Sequence, residues 1–141
     1  MLGKLFGKKI RLSSVESYLA GKMTAQAFAD LNAEATVYYS TPFGEDRAGR
    51  TQLWVLSNHD NDLQHYPAFT SKGECNRFLA AIGRYGFPII EGDLRTLLDS
   101  LDSHEALVPL GVVIDPQSDN PIAIDPGVRV GKGIRSGRAH V

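Results

Sequence analysis

Several things are scarce in this chain of 141 residues. It has one cysteine, Cys75, so it can form no internal disulfide and no thiolate cluster for a metal. That usage fits a reducing, cytoplasmic setting. No apolar run approaches the roughly 18–20 residues that a membrane helix needs. Residues Met1 to Lys9 carry positive charge without an apolar stretch behind it, so they do not read as a secretory signal. Internal repeats are absent. Acidic residues are missing from both ends. Residues 1–11 hold Lys4, Lys8, Lys9 and Arg11 and no acid, and residues 126–141 hold Arg129, Lys132, Arg135 and Arg138 and no acid. The net charge of −1 therefore conceals an acidic body, with 7 basic against 16 acidic residues between positions 12 and 125. Such a body suits a basic partner, whereas the ends suit an anionic one.

What is present is enough for one domain with a real core. The best-specified stretch is Tyr66 to Ile82. Ser71 and Glu74 have capping-box spacing. Behind them Cys75, Phe78, Leu79 and Ile82 form the stripe of a helix lying on a core, and Gly83 and Gly86 offer left-handed stops. Upstream, Ser13 and Glu16 have the same capping spacing before Val15, Tyr18 and Leu19. Thr24 can cap Ala25 to Ala33, with Phe28 and Leu31 facing inward. Ala35–Ser40, Thr51–Ser57 and Leu63–Phe69 read as strands separated by turn-rich loops. Downstream, Pro88–Ile90 is short and apolar, and Asp93 can cap a helix carrying Leu94, Leu97, Leu98 and Leu101. Ala106–Ile114, with Pro109 at its start or edge, and Pro121–Ile124 should form a hairpin around the turn at 115–120. The order ααβββααββ predicts an α+β fold: a mostly antiparallel sheet of five strands with helices on one face. Residues 1–126 would make the single domain, and 127–141 a flexible, basic, glycine-rich tail.

Three of these stretches resemble the N-terminal domain of the SseB (enhanced serine sensitivity) family of bacterial proteins. They are Ala35-Thr-Val-Tyr-Tyr39, Tyr66-Pro-Ala-Phe-Thr-Ser71 entering its helix, and Gly111-Val-Val-Ile-Asp-Pro116 before a polar turn. The resemblance spans roughly residues 25–126. Asp115 stands where the family commonly has Asn, and the second domain that many members carry is missing. The family brings no established catalytic residues with it. SseB-like domains also occur among immunity proteins, which block toxins by direct binding, and a short member with an acidic body resembles that use.

Four groups of residues could carry chemistry. His59-Asp60-Asn61-Asp62, with His65 close behind, offers imidazoles and carboxylates, but Asn and Asp are also what a tight turn prefers. Neither the glycine nor the distal glutamate of a calcium loop is in register there. Cys75 lies near a helix N-terminus, where a thiol can be activated. It also lies on the apolar stripe, which reads as core. Glu91, Asp93, Asp99, Asp102 and Glu105 surround the leucine stripe, as a solvated face or as an acidic patch for a basic partner. Gly131–Arg138 resembles a phosphate-gripping loop in composition only, since the spacing of a P-loop is absent. Tyr38 and Tyr39 alternate, so one of them should be exposed as an interface anchor, and the Phe43–Arg47 loop could extend such a surface.

These features together predict a non-enzymatic protein-binding domain, most concretely an immunity protein that neutralises a toxin encoded nearby. The expected contact residues are Tyr39, Phe43, Glu45, Asp46, Asp60, Asp62, Glu91, Asp93, Asp99 and Asp102. No metal or cofactor is expected, nor a membrane, and nucleic acid is not the expected partner. The alternatives are a nucleic-acid binder using the basic ends, and a small-ligand-binding or regulatory domain.

Overall fold

The computed structural model describes residues 9–45, 51–53, 55–57, 63–83 and 87–131. Helices α1 (Val15–Leu19) and α2 (Ala25–Leu31) come first, followed by strand β1 (Thr36–Tyr39). Strands β2 (Phe43–Glu45), β3 (Thr51–Leu53), β4 (Leu56–Ser57) and β5 (Gln64–Ala68) lead into helix α3 (Lys72–Ala81). Then come β6 (Ile90–Asp93), α4 (Leu94–Ser100), a 3₁₀ turn at Leu101–Ser103, β7 (Gly111–Ile114) and β8 (Ile122–Ile124). The chain is thus α+β.

The strands differ from the expected single, mostly antiparallel sheet of five. Among the described residues β4-β5-β7-β8 form one sheet, while β1-β6 and β2-β3 are separate antiparallel pairs. β5 and β7 run parallel, with His65 opposite Gly111 and Ala68 opposite Ile114. A parallel partner must return through a long crossover, here α3, β6 and α4, and nothing local in either strand announces it. A bridge between Tyr38 and Phe69 joins β1 to the end of β5, through backbone hydrogen bonds of 2.7 and 2.8 Å.

Helices cover both faces of this assembly, not one. The larger core holds Phe28 of α2, Leu94, Leu97 and Leu98 of α4, Leu101 and Leu110, and Val37, Tyr39, Val112, Ile114 and Ile124 of the strands. The smaller core lies on the opposite side of β1, where Tyr38 and Phe69 meet Cys75, Phe78 and Leu79 of α3. Phe69 and Phe78 pack with ring centroids 5.2 Å apart.

Three caps read from the sequence are formed. The side chains of Thr24, Ser71 and Asp93 accept from the N–H groups of Ala27, Glu74 and Thr96, satisfying donors that a helix start leaves open. The expected cap at Ser13 is not. α1 begins at Ser14 in a left-handed conformation without a side-chain cap. Ser13 turns instead to buried Asn32: its N–H donates to Asn32 Oδ1 at 2.7 Å, and Asn32 Nδ2 donates back to the Ser13 carbonyl at 3.1 Å. Leu31, expected inside, is 54% exposed, because the buried face runs through Phe28, Ala29, Asn32 and Ala33 and Leu31 lies outside it. Residues 106–110 are turn, not strand.

The C-terminal boundary also moves. Gly127 to Gly131 belong to the folded body. Gln26 Nε2 donates to the Arg129 carbonyl at 2.6 Å, and the Gly131 N–H donates to Asp30 Oδ1 at 2.6 Å. Arg129 is buried, with Nε and Nη2 directed at the two oxygens of Asp102 at 3.2 and 3.1 Å. Val130 closes the larger core.

Candidate functional site

The sequence places its candidate contact residues on several separate elements, and the fold disperses them. Tyr39 is a core residue, 5% exposed, with its ring set edge-on to Tyr66 at 6.1 Å. Tyr38 is buried too, because each face of β1 is covered by its own core. Neither tyrosine is an exposed anchor. Asp93 spends a carboxylate oxygen on the start of α4. Glu91 pairs with Lys9 at 2.6 Å, and that hydrogen-bonded ammonium pulls the carboxyl below its ordinary range. Lys9 also lies 5.5 Å over the Tyr38 ring. Asp46, Asp60 and Asp62 lie outside the described residues, as do His59 and Trp54. Glu45 takes part in β2 through its pairing with Thr51.

Of the remaining candidates, Phe43 makes a contact across the fold. Phe43, half-buried on β2, sets its ring against His104 with centroids 5.1 Å apart. His104 belongs to the turn that follows α4, and its Nδ1 accepts from the Ala106 N–H at 3.0 Å, so the ring is held by its own turn. Exposed Asp99 and Asp102 precede it, and exposed Glu105 follows. Val108, 46% exposed, stands just beyond. Arg129 anchors Asp102 from beneath. The result is an aromatic contact beside a run of exposed acidic residues and an exposed valine that lie close to His104 in sequence. Sequence reasoning named Phe43, Asp99 and Asp102 but missed His104 and Val108.

Among the described side chains no Asp or Glu is buried. The basic ends are partly consumed by them, since Lys9 is tied to Glu91 and Arg129 to Asp102. Gly131 of the glycine-rich stretch is docked on Asp30, and 132–138 lie outside the described residues.

Two reactive side chains are held quiet. Cys75 is 1% exposed, and burial pushes its thiol up to about 11, so at neutral pH it is protonated and a poor nucleophile. His65 is 6% exposed between β4 and β7. Burial lowers its pKa, and the nearby charge of Asp125 opposes that only in part. Among the described residues no group of three or more His, Cys, Asp or Glu converges as a metal site, and no helix is long and apolar enough to cross a membrane.

A separate apolar cavity of about 130 Å³ opens between α3 and the strands β4 and β5. Its walls include Val55, Leu56, Tyr66, Phe69, Phe78 and Leu79, with Cys75 on α3 and Ser40 and Thr41 toward β1.

Set against family models, curated proteins and solved structures, the chain finds no match in any of the three.

Proposed function

We propose that this chain is a non-enzymatic binding protein of the immunity class, one that neutralises a basic toxin domain by direct contact. The observation that carries the reading is the Phe43–His104 contact. It joins the β2–β3 pair to the acidic turn after α4, parts far apart in sequence. Apolar anchors ringed by charge are the usual build of a binding hot spot, and the carboxylates would steer a basic partner. The acidic body and the SseB resemblance support the same reading.

Pull-down from the native host at low ionic strength is expected to recover a basic protein encoded next to this chain, with release as salt rises. Charge reversal at Asp99→Lys and Glu105→Lys together, or Val108→Arg alone, should weaken that complex at least about tenfold, the effect expected of a lost anchor of about 1.4 kcal/mol or more. Recovery of no basic partner would remove the proposal. So would a complex indifferent to these three positions in variants that unfold at the same urea concentration as the parent.

A further inference from the structure

We infer that the cavity between α3 and the β4–β5 edge is a binding site for one small, neutral, apolar molecule of about single-ring size. Close-packed interiors rarely hold voids larger than a water molecule. A dry void of about 150 Å³ lined by aliphatic and aromatic side chains is known to take up benzene. This one, at about 130 Å³, has similar size and similar walls in Val55, Phe69, Phe78 and Leu79. It lies open on one side, so entry needs no unfolding of the larger core.

The chemistry of the walls selects the ligand. Tyr66 could have offered a hydroxyl, but that hydroxyl donates to the Ser40 carbonyl. Ser40 in turn donates its Oγ to the Pro88 carbonyl at 2.7 Å. Thr41 Oγ1 accepts from the Phe43 N–H at 3.3 Å. The polar groups at the mouth therefore already have partners. Cys75 contributes a protonated thiol, which behaves as a small hydrophobe. The lining holds no charged side chain, so a charged guest would be desolvated without a counter-ion, whereas an apolar ring loses nothing by entering.

The site differs from the acidic surface proposed for partner binding, and its test needs no partner. Toluene and benzoate, close in size, are the probes, added to the full chain. Toluene should shift the methyl NMR signals of Val55, Leu56 and Leu79 in a saturable way and raise the unfolding temperature, as a ligand of the native state must. Benzoate should bind at least about tenfold more weakly, because the lining offers its carboxylate no cation. The Cys75→Phe variant, which fills the void, should lose the toluene response. If that variant does not fold, xenon supplies the same reading on the unaltered chain, through shifts confined to the same methyl groups. Absence of any toluene or xenon shift at these methyls would overturn the inference. Equal affinity for benzoate would also overturn it, as would a toluene response that persists in folded Cys75→Phe.

Discussion

Asp115 sits where few side chains are comfortable, with φ of 54° in the left-handed region. Asp and Asn tolerate that region better than other non-glycine residues. Its carboxylate also accepts from the Thr70 N–H at 2.9 Å and the Thr70 hydroxyl at 2.7 Å, while its own N–H donates to the Ala68 carbonyl at 2.8 Å. The two phrases most suggestive of the SseB family, Pro67–Ser71 and Gly111–Pro116, are thus stitched together at this residue. Asp115→Asn should cost less than about 1 kcal/mol in urea unfolding, since it keeps the backbone preference and an acceptor for Thr70. Asp115→Ala should cost about 2–3 kcal/mol, from the strained backbone and the lost hydrogen bonds together. His65 makes a second prediction at this scale. Its folded pKa lies below the unfolded value near 6.5, so between the two the unfolded chain binds the extra proton. Its contribution is complete above about pH 7 and declines as the pH falls through the unfolded value. His65→Leu should therefore flatten the stability profile between roughly pH 7 and pH 5, measured by urea unfolding at each pH.

Among the elements, two glycines separate steric demand from helix propensity. A Cβ at Gly111 would lie 2.5 Å from the Ile124 carbonyl oxygen of the neighbouring strand and 2.8 Å from His65 Cδ2. Backbone cannot yield cheaply there, so Gly111→Ala should cost about 1–3 kcal/mol. Gly73, in the first turn of α3, would meet nothing closer than an Arg77 nitrogen at 3.9 Å. Gly73→Ala should instead stabilise by up to about 1 kcal/mol, and thermal unfolding of the two variants should move in opposite directions. The helices were the legible part of this fold. Caps at Thr24, Ser71 and Asp93 and the stripe Leu94–Leu101 depend on neighbours within a turn or two, which the sequence displays directly. β6 was hidden because Glu91, Gly92 and Asp93 have poor strand character, and they are extended only because β1 pairs with them. Residues 106–110 misled for the opposite reason: Ala106, Leu107, Val108 and Leu110 give an apolar, strand-like look to what is mostly a turn. The candidate surface was half legible for the same reason. Asp99 and Asp102 follow from helix phase, whereas the meeting of Phe43 with His104 is a tertiary event.

On the scale of the whole molecule, the two basic ends prove to be fastenings as much as charges. Ile10 accepts from the Thr36 N–H at 2.8 Å and donates its own N–H to Thr36 Oγ1 at 3.0 Å, which lays the N-terminal segment along β1. At the other end, Arg129 and Val130 fasten the chain to α2 and to the turn after α4. A chain cut after residue 126 lacks this clamp, while one cut after 131 keeps it. The shorter form should be less stable than the longer by about 3 kcal/mol, from one buried aliphatic side chain and several hydrogen bonds, as measured by urea unfolding. Equal stability would return the boundary to 126.

The parallel pairing of β5 with β7 sets an order of events during synthesis. β5 leaves the ribosome early, but the strand that completes it arrives only after α3, β6 and α4. β1 likewise waits for β6. Closing either sheet demands long loops whose entropy must be overcome before any contact rewards it, which places this chain among the slower folders of its size. Until residue 114 has emerged, the nascent chain carries an unpaired apolar strand edge. That interval is when a chaperone, or aggregation, has its opportunity.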